Sequence, residues 1–188
     1  EPKTPEPVEP VRPPAKPKAA PKSDGPAEAP APQRSKEELL AALTQFGVAI
    51  EFKFVGGDTK PPKQLVGYME EFKSVLRVTL EQMVSVGNVG LTVIDDTSES
   101  VMEIVITPRA DQGLVFDASA KLKRQTGQEW IELWSKPEAE LVRFMPQAKM
   151  SLTQQTQLKR IWSDKIRDYF SDFRTKRVEL IKGEGAQN

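Results

Sequence analysis

The 188-residue chain carries 27 basic and 27 acidic side chains, so no long-range field gathers a polyanion. It has neither cysteine nor histidine. That removes thiolate nucleophiles, disulfides, Cys/His zinc sites and imidazole bases together.

No apolar run reaches the roughly 18–20 residues that span a bilayer, so no transmembrane segment is expected. No basic-then-apolar targeting pattern follows Glu1. The missing cysteine leans slightly toward a bacterial periplasm or cell envelope.

Residues 1–33 hold eleven of the sixteen prolines, five acids and five bases, no aromatic residue, and only Val8 and Val11 as large aliphatics. Such a segment cannot bury enough apolar area to offset its ordering entropy, so a disordered tether over residues 1–34 is expected. Repeated proline favours an extended chain, about 3.1 Å per residue and roughly 100 Å when fully stretched. No clean basic-flanked PxxP stands out, so a spacer is preferred to an SH3-type ligand. Its Pro/Lys/Ala composition is similar to that of spacers crossing a periplasm, which makes an envelope tether one reading of it.

From Ser35 the composition becomes that of one ordinary domain, expected over 35–182 with a flexible tail at 183–188. Ser35-Lys36-Glu37-Glu38 has capping-box form and opens a helix over 36–45, stopped by Gly47. Val48, Ile50, Phe52 and Phe54 then alternate with Ala49, Glu51 and Lys53, the pattern of a half-buried strand. After the loop "GGDTKPPK", Leu65, Tyr68, Phe72, Val75, Leu76, Leu80 and Met83 predict a helix over 64–86.

Four strands are expected next, over 89–94, 101–107, 114–123 and 129–134, joined by the short turns "DDTSES", "PRADQG" and "QTGQ" as antiparallel hairpins. Ser135 and Pro137 read as the start of a short helix ending near Pro146. Ser151-Leu152-Thr153-Gln154 caps a long terminal helix over 152–181. The sum is an α+β fold: a mostly antiparallel sheet of four or five strands packed by helices. The helix-then-meander order is similar to that of α+β folds in envelope and secretion assemblies.

On a helical wheel Leu158, Trp162, Ile166, Tyr169, Phe170 and Phe173 share an arc of roughly 120°, and Leu180 returns to its centre. Arg160, Arg167 and Arg174 form one polar stripe, and Asp164, Asp168 and Asp172 a neighbouring one. Acids stand where phosphate would approach, which disfavours nucleic acid. Ion pairs are spaced for Arg160–Asp164, Asp164–Arg167 and Asp172–Lys176. Lys176 and Arg177 interrupt the apolar stripe, so the last turns are expected to project as an attachment point. The docking candidates are Trp162, Tyr169, Phe170, Phe173, Arg174, Arg177 and Leu180.

Lys121, Lys123 and Arg124 lie across a turn from Trp130 and Trp134, a composition that could hold single-stranded nucleic acid. Apolar residues on both faces of that strand make core packing the preferred role for the two tryptophans. Asp95, Asp96 and Glu99 lack the spacing of a calcium loop, and "GGDTK" lacks that of a phosphate loop. Glu51 and Glu103 are paired carboxylates that nothing in the sequence brings together.

No catalytic set, metal or cofactor is expected. The expected role is a non-catalytic subunit binding a protein partner, probed against two alternatives: a nucleic-acid-associated protein, and a small-ligand carrier or enzyme with a pocket between sheet and helices.

Overall fold

A computed structural model describes residues 34–54, 63–86, 90–94, 98–109, 113–147 and 149–185. The expectations for the Pro-rich extension, the loop after Phe54, and Asp95 and Asp96 lie outside these residues. The elements are α1 (Lys36–Ala41), β1 (Gln45–Phe52), α2 (Lys63–Val86), β2 (Thr92–Ile94), β3 (Ser100–Arg109), β4 (Leu114–Thr126), β5 (Glu129–Phe144) and α3 (Leu152–Gly185).

Both expected capping boxes close. Ser35 Oγ accepts the Glu38 N–H at 3.1 Å, and Glu38 Oε2 accepts the Ser35 N–H at 2.8 Å. At α3 the Ser151–Gln154 pair does the same at 3.3 and 2.8 Å. Each pair satisfies two donors that a helix start leaves without intrahelical acceptors.

The five strands form one sheet in the order β2-β1-β3-β4-β5. It is mixed rather than purely antiparallel: β1 is parallel to both β2 and β3, while the longer β3–β4 and β4–β5 pairings are antiparallel. The "DDTSES" hairpin is therefore replaced by a different connection, because β1 lies between β2 and β3. β1 is flanked on both sides only over Gln45–Gly47, and α2 supplies the long crossover between its parallel neighbours β1 and β2.

The short helix expected after Ser135 is absent. β5 runs unbroken from Glu129 to Phe144 through Pro137. Proline is tolerated there because β5 is an edge strand, with register shifts around that segment. Pro108 sits inside β3 for a related reason. The Ile106 carbonyl accepts the Lys53 N–H at 2.8 Å, so Pro108, two residues on, turns its missing donor to the same side, past the end of β1.

One face of the sheet meets the helices. Met102, Ile104 and Ile106 of β3 and Leu114, Phe116, Ala118, Ala120 and Leu122 of β4 are buried there. Phe72 of α2 stacks on Phe116 at 4.7 Å between ring centroids, and Trp162 of α3 meets Phe72, Phe144 and Phe116 at 5.0, 5.4 and 6.3 Å. These rings are the centre of the core. The opposite face presents Glu51, Lys53, Glu103, Thr107, Ser119, Lys121 and Lys123, and no described helix covers it.

The pattern along β5 contains a reset. Lys123 pairs with Glu132, but Leu122 pairs with Trp134, so Leu133 is an extra residue. This bulge buries Leu133 and Trp134 in succession and splits the two tryptophans. Trp134 points into the core against Phe173 at 5.2 Å, while Trp130 stands 50 % exposed on the uncovered face. The core role expected for both therefore belongs to Trp134 alone.

Candidate functional site

The structure disperses the docking candidates of the terminal helix. Trp162, Tyr169, Phe170 and Phe173 are buried in the core and present no surface. Tyr169 donates its hydroxyl to the Ala118 carbonyl at 2.8 Å, and burial, with Asp172 and Glu138 nearby, raises its pKa well above the ordinary tyrosine value.

Arg177 does not interrupt the stripe but belongs to it. It is 3 % exposed, and its Nη2 donates to the Leu43 carbonyl at 2.7 Å, tying α3 to the link between α1 and β1. Val178, Leu180 and Ile181 pack half-buried against the core beyond it. The turns through Ile181 therefore do not project. The residues of α3 that stand clear are at its other end, where Leu152 is 80 % exposed.

Of the expected helix ion pairs, Asp164–Arg167 forms at 3.0 Å. Asp172 is instead engaged by Lys136 of β5 at 2.8 Å, with Lys136 also over the Tyr169 ring. A wheel drawn on one helix cannot see that partner.

Arg174 is exposed and lies in a groove of about 570 Å³ between the two long helices. Gln82, Met83 and Val86 of α2 form one wall; Arg167, Asp168, Ser171, Arg174 and Thr175 of α3 form the other. Arg167 is held in place, its Nη1 on Asp164 and its Nη2 donating to Gln82 Oε1 at 3.3 Å. Val86, at the rim, is 76 % exposed. Sequence reasoning found Arg174 but not the opposing wall. Val86 continues the apolar stripe of α2 at the angular position of Tyr68, so the sequence alone did not mark it as a surface residue.

The polyanion candidates also separate. On the uncovered sheet face Lys121 pairs with Glu132 at 3.6 Å and Lys123 pairs with Glu103. A hydrogen bond from Ser135, with Lys121 alongside, holds the Glu132 carboxyl below the usual range. Trp130 shares this face, in line with Gln125, but Arg124 points to the other one, beside Thr44, Gln45 and Ser98. These basic groups are thus matched to acids or turned away from the tryptophan.

Glu51 and Glu103 lie on adjacent strands but are offset in register, Glu51 opposite Val105 and Glu103 opposite Ala49. Each is associated with a lysine, Glu51 with Lys53 at 3.9 Å and Glu103 with Lys123. They form no carboxylate pair. Among the described residues no group of three potential metal-ligating acids occurs.

The chain matches no protein-family model, and comparison with curated proteins finds no significant relative.

Proposed function

We propose that the chain is a non-catalytic structural subunit that binds a protein partner within a larger assembly, docking it in the groove between α2 and α3. The observation that carries this reading is the groove's make-up. Met83 and Val86 give it an apolar wall, and Arg167 and Arg174 line the wall opposite. Methionine repacks against varied partners, and arginine is enriched among the residues that dominate interface energetics. The Pro-rich extension serves as the tether or spacer in this reading. Nucleic acid is the weaker alternative because Lys121 and Lys123 are already paired with carboxylates.

The test is cross-linked co-purification of the full chain and of two surface variants, Val86→Asp and Arg174→Glu. Both variants should lose the same partner while their circular dichroism stays that of the parent. Recovery of identical partners by all three would refute the groove as the docking site. An RNA titration at two salt concentrations checks the alternative: steep salt dependence would favour it over the protein-docking reading.

A further inference from the structure

We propose that two copies of this chain pair edge to edge through β1, antiparallel and centred on Phe52. The proposal is independent of the helix groove, and it rests on the backbone. β2 pairs only with Gln45–Gly47, so the same side of β1 is unpaired by any described strand beyond that point. The Lys53 N–H bonds to the Ile106 carbonyl of β3. Residues alternate in direction along a strand, so Glu51 and Lys53 turn their backbone groups to β3, while Ile50 and Phe52 turn theirs to the open side. A row of outward N–H and C=O groups specifies an extended backbone as its occupant.

The other edge of the sheet is guarded. β5 carries Lys136, Pro137, Glu138 and Glu140 with three register shifts, the devices that discourage edge pairing. The open stretch of β1 has no proline and no register shift, and its two charges, Glu51 and Lys53, are opposite in sign. Its side chains on the helix side are Ile50, Phe52 and Phe54, all partly buried apolar residues at the margin of the core.

The sequence of this edge fits a second copy of itself. Ile50-Glu51-Phe52-Lys53-Phe54 has apolar ends, a central phenylalanine, and one acid and one base placed symmetrically about it. In an antiparallel pair centred on Phe52, that residue faces its equivalent and Ile50 faces Phe54 of the second copy. Glu51 faces Lys53 of the second copy, twice, by the two-fold symmetry of an isologous contact.

The backbone parity agrees with this register. Phe52 with Phe52 is a hydrogen-bonded position. Glu51 with Lys53 is a non-hydrogen-bonded one, where Cα atoms approach to about 4.5 Å and side chains stand closest. Within one copy these two charges are 3.9 Å apart and mostly solvent-exposed, with side-chain exposures of 64 % and 59 %, so they are available to re-pair. The result joins two five-stranded sheets into one.

Sedimentation of the full chain over a concentration series tests this. A reversible dimer is expected. Glu51→Lys sets lysine against lysine, and Lys53→Glu sets acid against acid. Each is expected to weaken dimerisation about tenfold, since two cross-strand pairs change from attractive to repulsive. The swap Glu51→Lys with Lys53→Glu restores opposite charges and should return the parent's behaviour. Both positions are exposed, so circular dichroism of the variants should match the parent.

A chain that stays monomeric to about 1 mM would overturn the proposal. So would a dimer indifferent to both single changes, or single changes that the swap does not rescue. None of these outcomes bears on partner recovery through the helix groove.

Discussion

Replacing Trp134 and Trp130 separately by alanine tests the bulge at Leu133, on which the division between core and open face depends. Trp134 is 6 % exposed, with its ring 6.0 Å from Phe170 and 5.2 Å from Phe173. A buried tryptophan removes about 150–250 Å² from water. At about 25 cal/mol per Å² that corresponds to roughly 4–6 kcal/mol, an upper estimate because the unfolded chain already buries some area. Measured truncations of buried aromatics cluster at about 3–5 kcal/mol. Trp134→Ala is therefore expected to cost about 4 kcal/mol. Trp130 is half exposed on a ribbon that extends past the start of β3. Half of a tryptophan's area gives at most roughly 2–3 kcal/mol by the same rule, so its removal should cost about 2 kcal/mol.

Urea unfolding followed by far-UV circular dichroism separates the two. With a slope of about 2 kcal/mol per molar, Trp134→Ala should move the midpoint by about 2 M and Trp130→Ala by about 1 M. Losses equal within about 1 kcal/mol would mean that the tryptophans share an environment, and the reset at Leu133 would be wrong.

Tyr169→Phe removes the donor to the Ala118 carbonyl and is expected to cost about 1–2 kcal/mol in the same assay. The wild-type hydroxyl, raised above 10.0 chiefly by burial, keeps its proton in the folded chain where the unfolded chain has lost it. Stability from this group is thus complete below 10.0 and falls as pH rises beyond it. The phenylalanine variant should have a flatter alkaline limb, and an identical slope for both proteins would contradict this.

Gly113 has φ 96°, and an added Cβ would lie 3.3 Å from the Phe144 carbonyl and 2.6 Å from Met145 Sδ; Gly127 has φ 64° and open space. Gly127→Ala should cost about 1 kcal/mol and Gly113→Ala about 2 or more, read as a larger drop in melting temperature for Gly113→Ala.

Local signals were legible where local chemistry decides. The capping serines, the apolar arc from Trp162 to Phe173 and the alternation of β4 all occur as the residues imply. The misreadings share a cause: each depends on a neighbour remote in sequence. Pro137 has the form of a helix start, and only its place at a sheet edge makes it a strand residue. Ile94 and Ser100 bracket a turn-rich segment that suits a hairpin, but β1 takes the position between the strands. Leu133 looks like one more alternating residue, and only its pairing with β4 reveals it as supernumerary.

The candidate groove was half legible for the same reason. Arg174 is visible on one helix, whereas Met83 and Val86 come from another. Arg177 looked like a break in an oily stripe because the Leu43 carbonyl that receives it is 134 residues away.

That long-range clasp bears on how the protein is made. The first helix of the folded unit finds its cover in β5 and the last helix, so the earliest part of the domain to leave the ribosome waits for nearly the latest. Translation at about 5–20 residues per second leaves Leu39, Leu40 and Phe46 unshielded for several seconds. During that interval a chaperone, or any other sticky nascent chain, competes for them. The terminal helix thus closes the domain as well as supporting it.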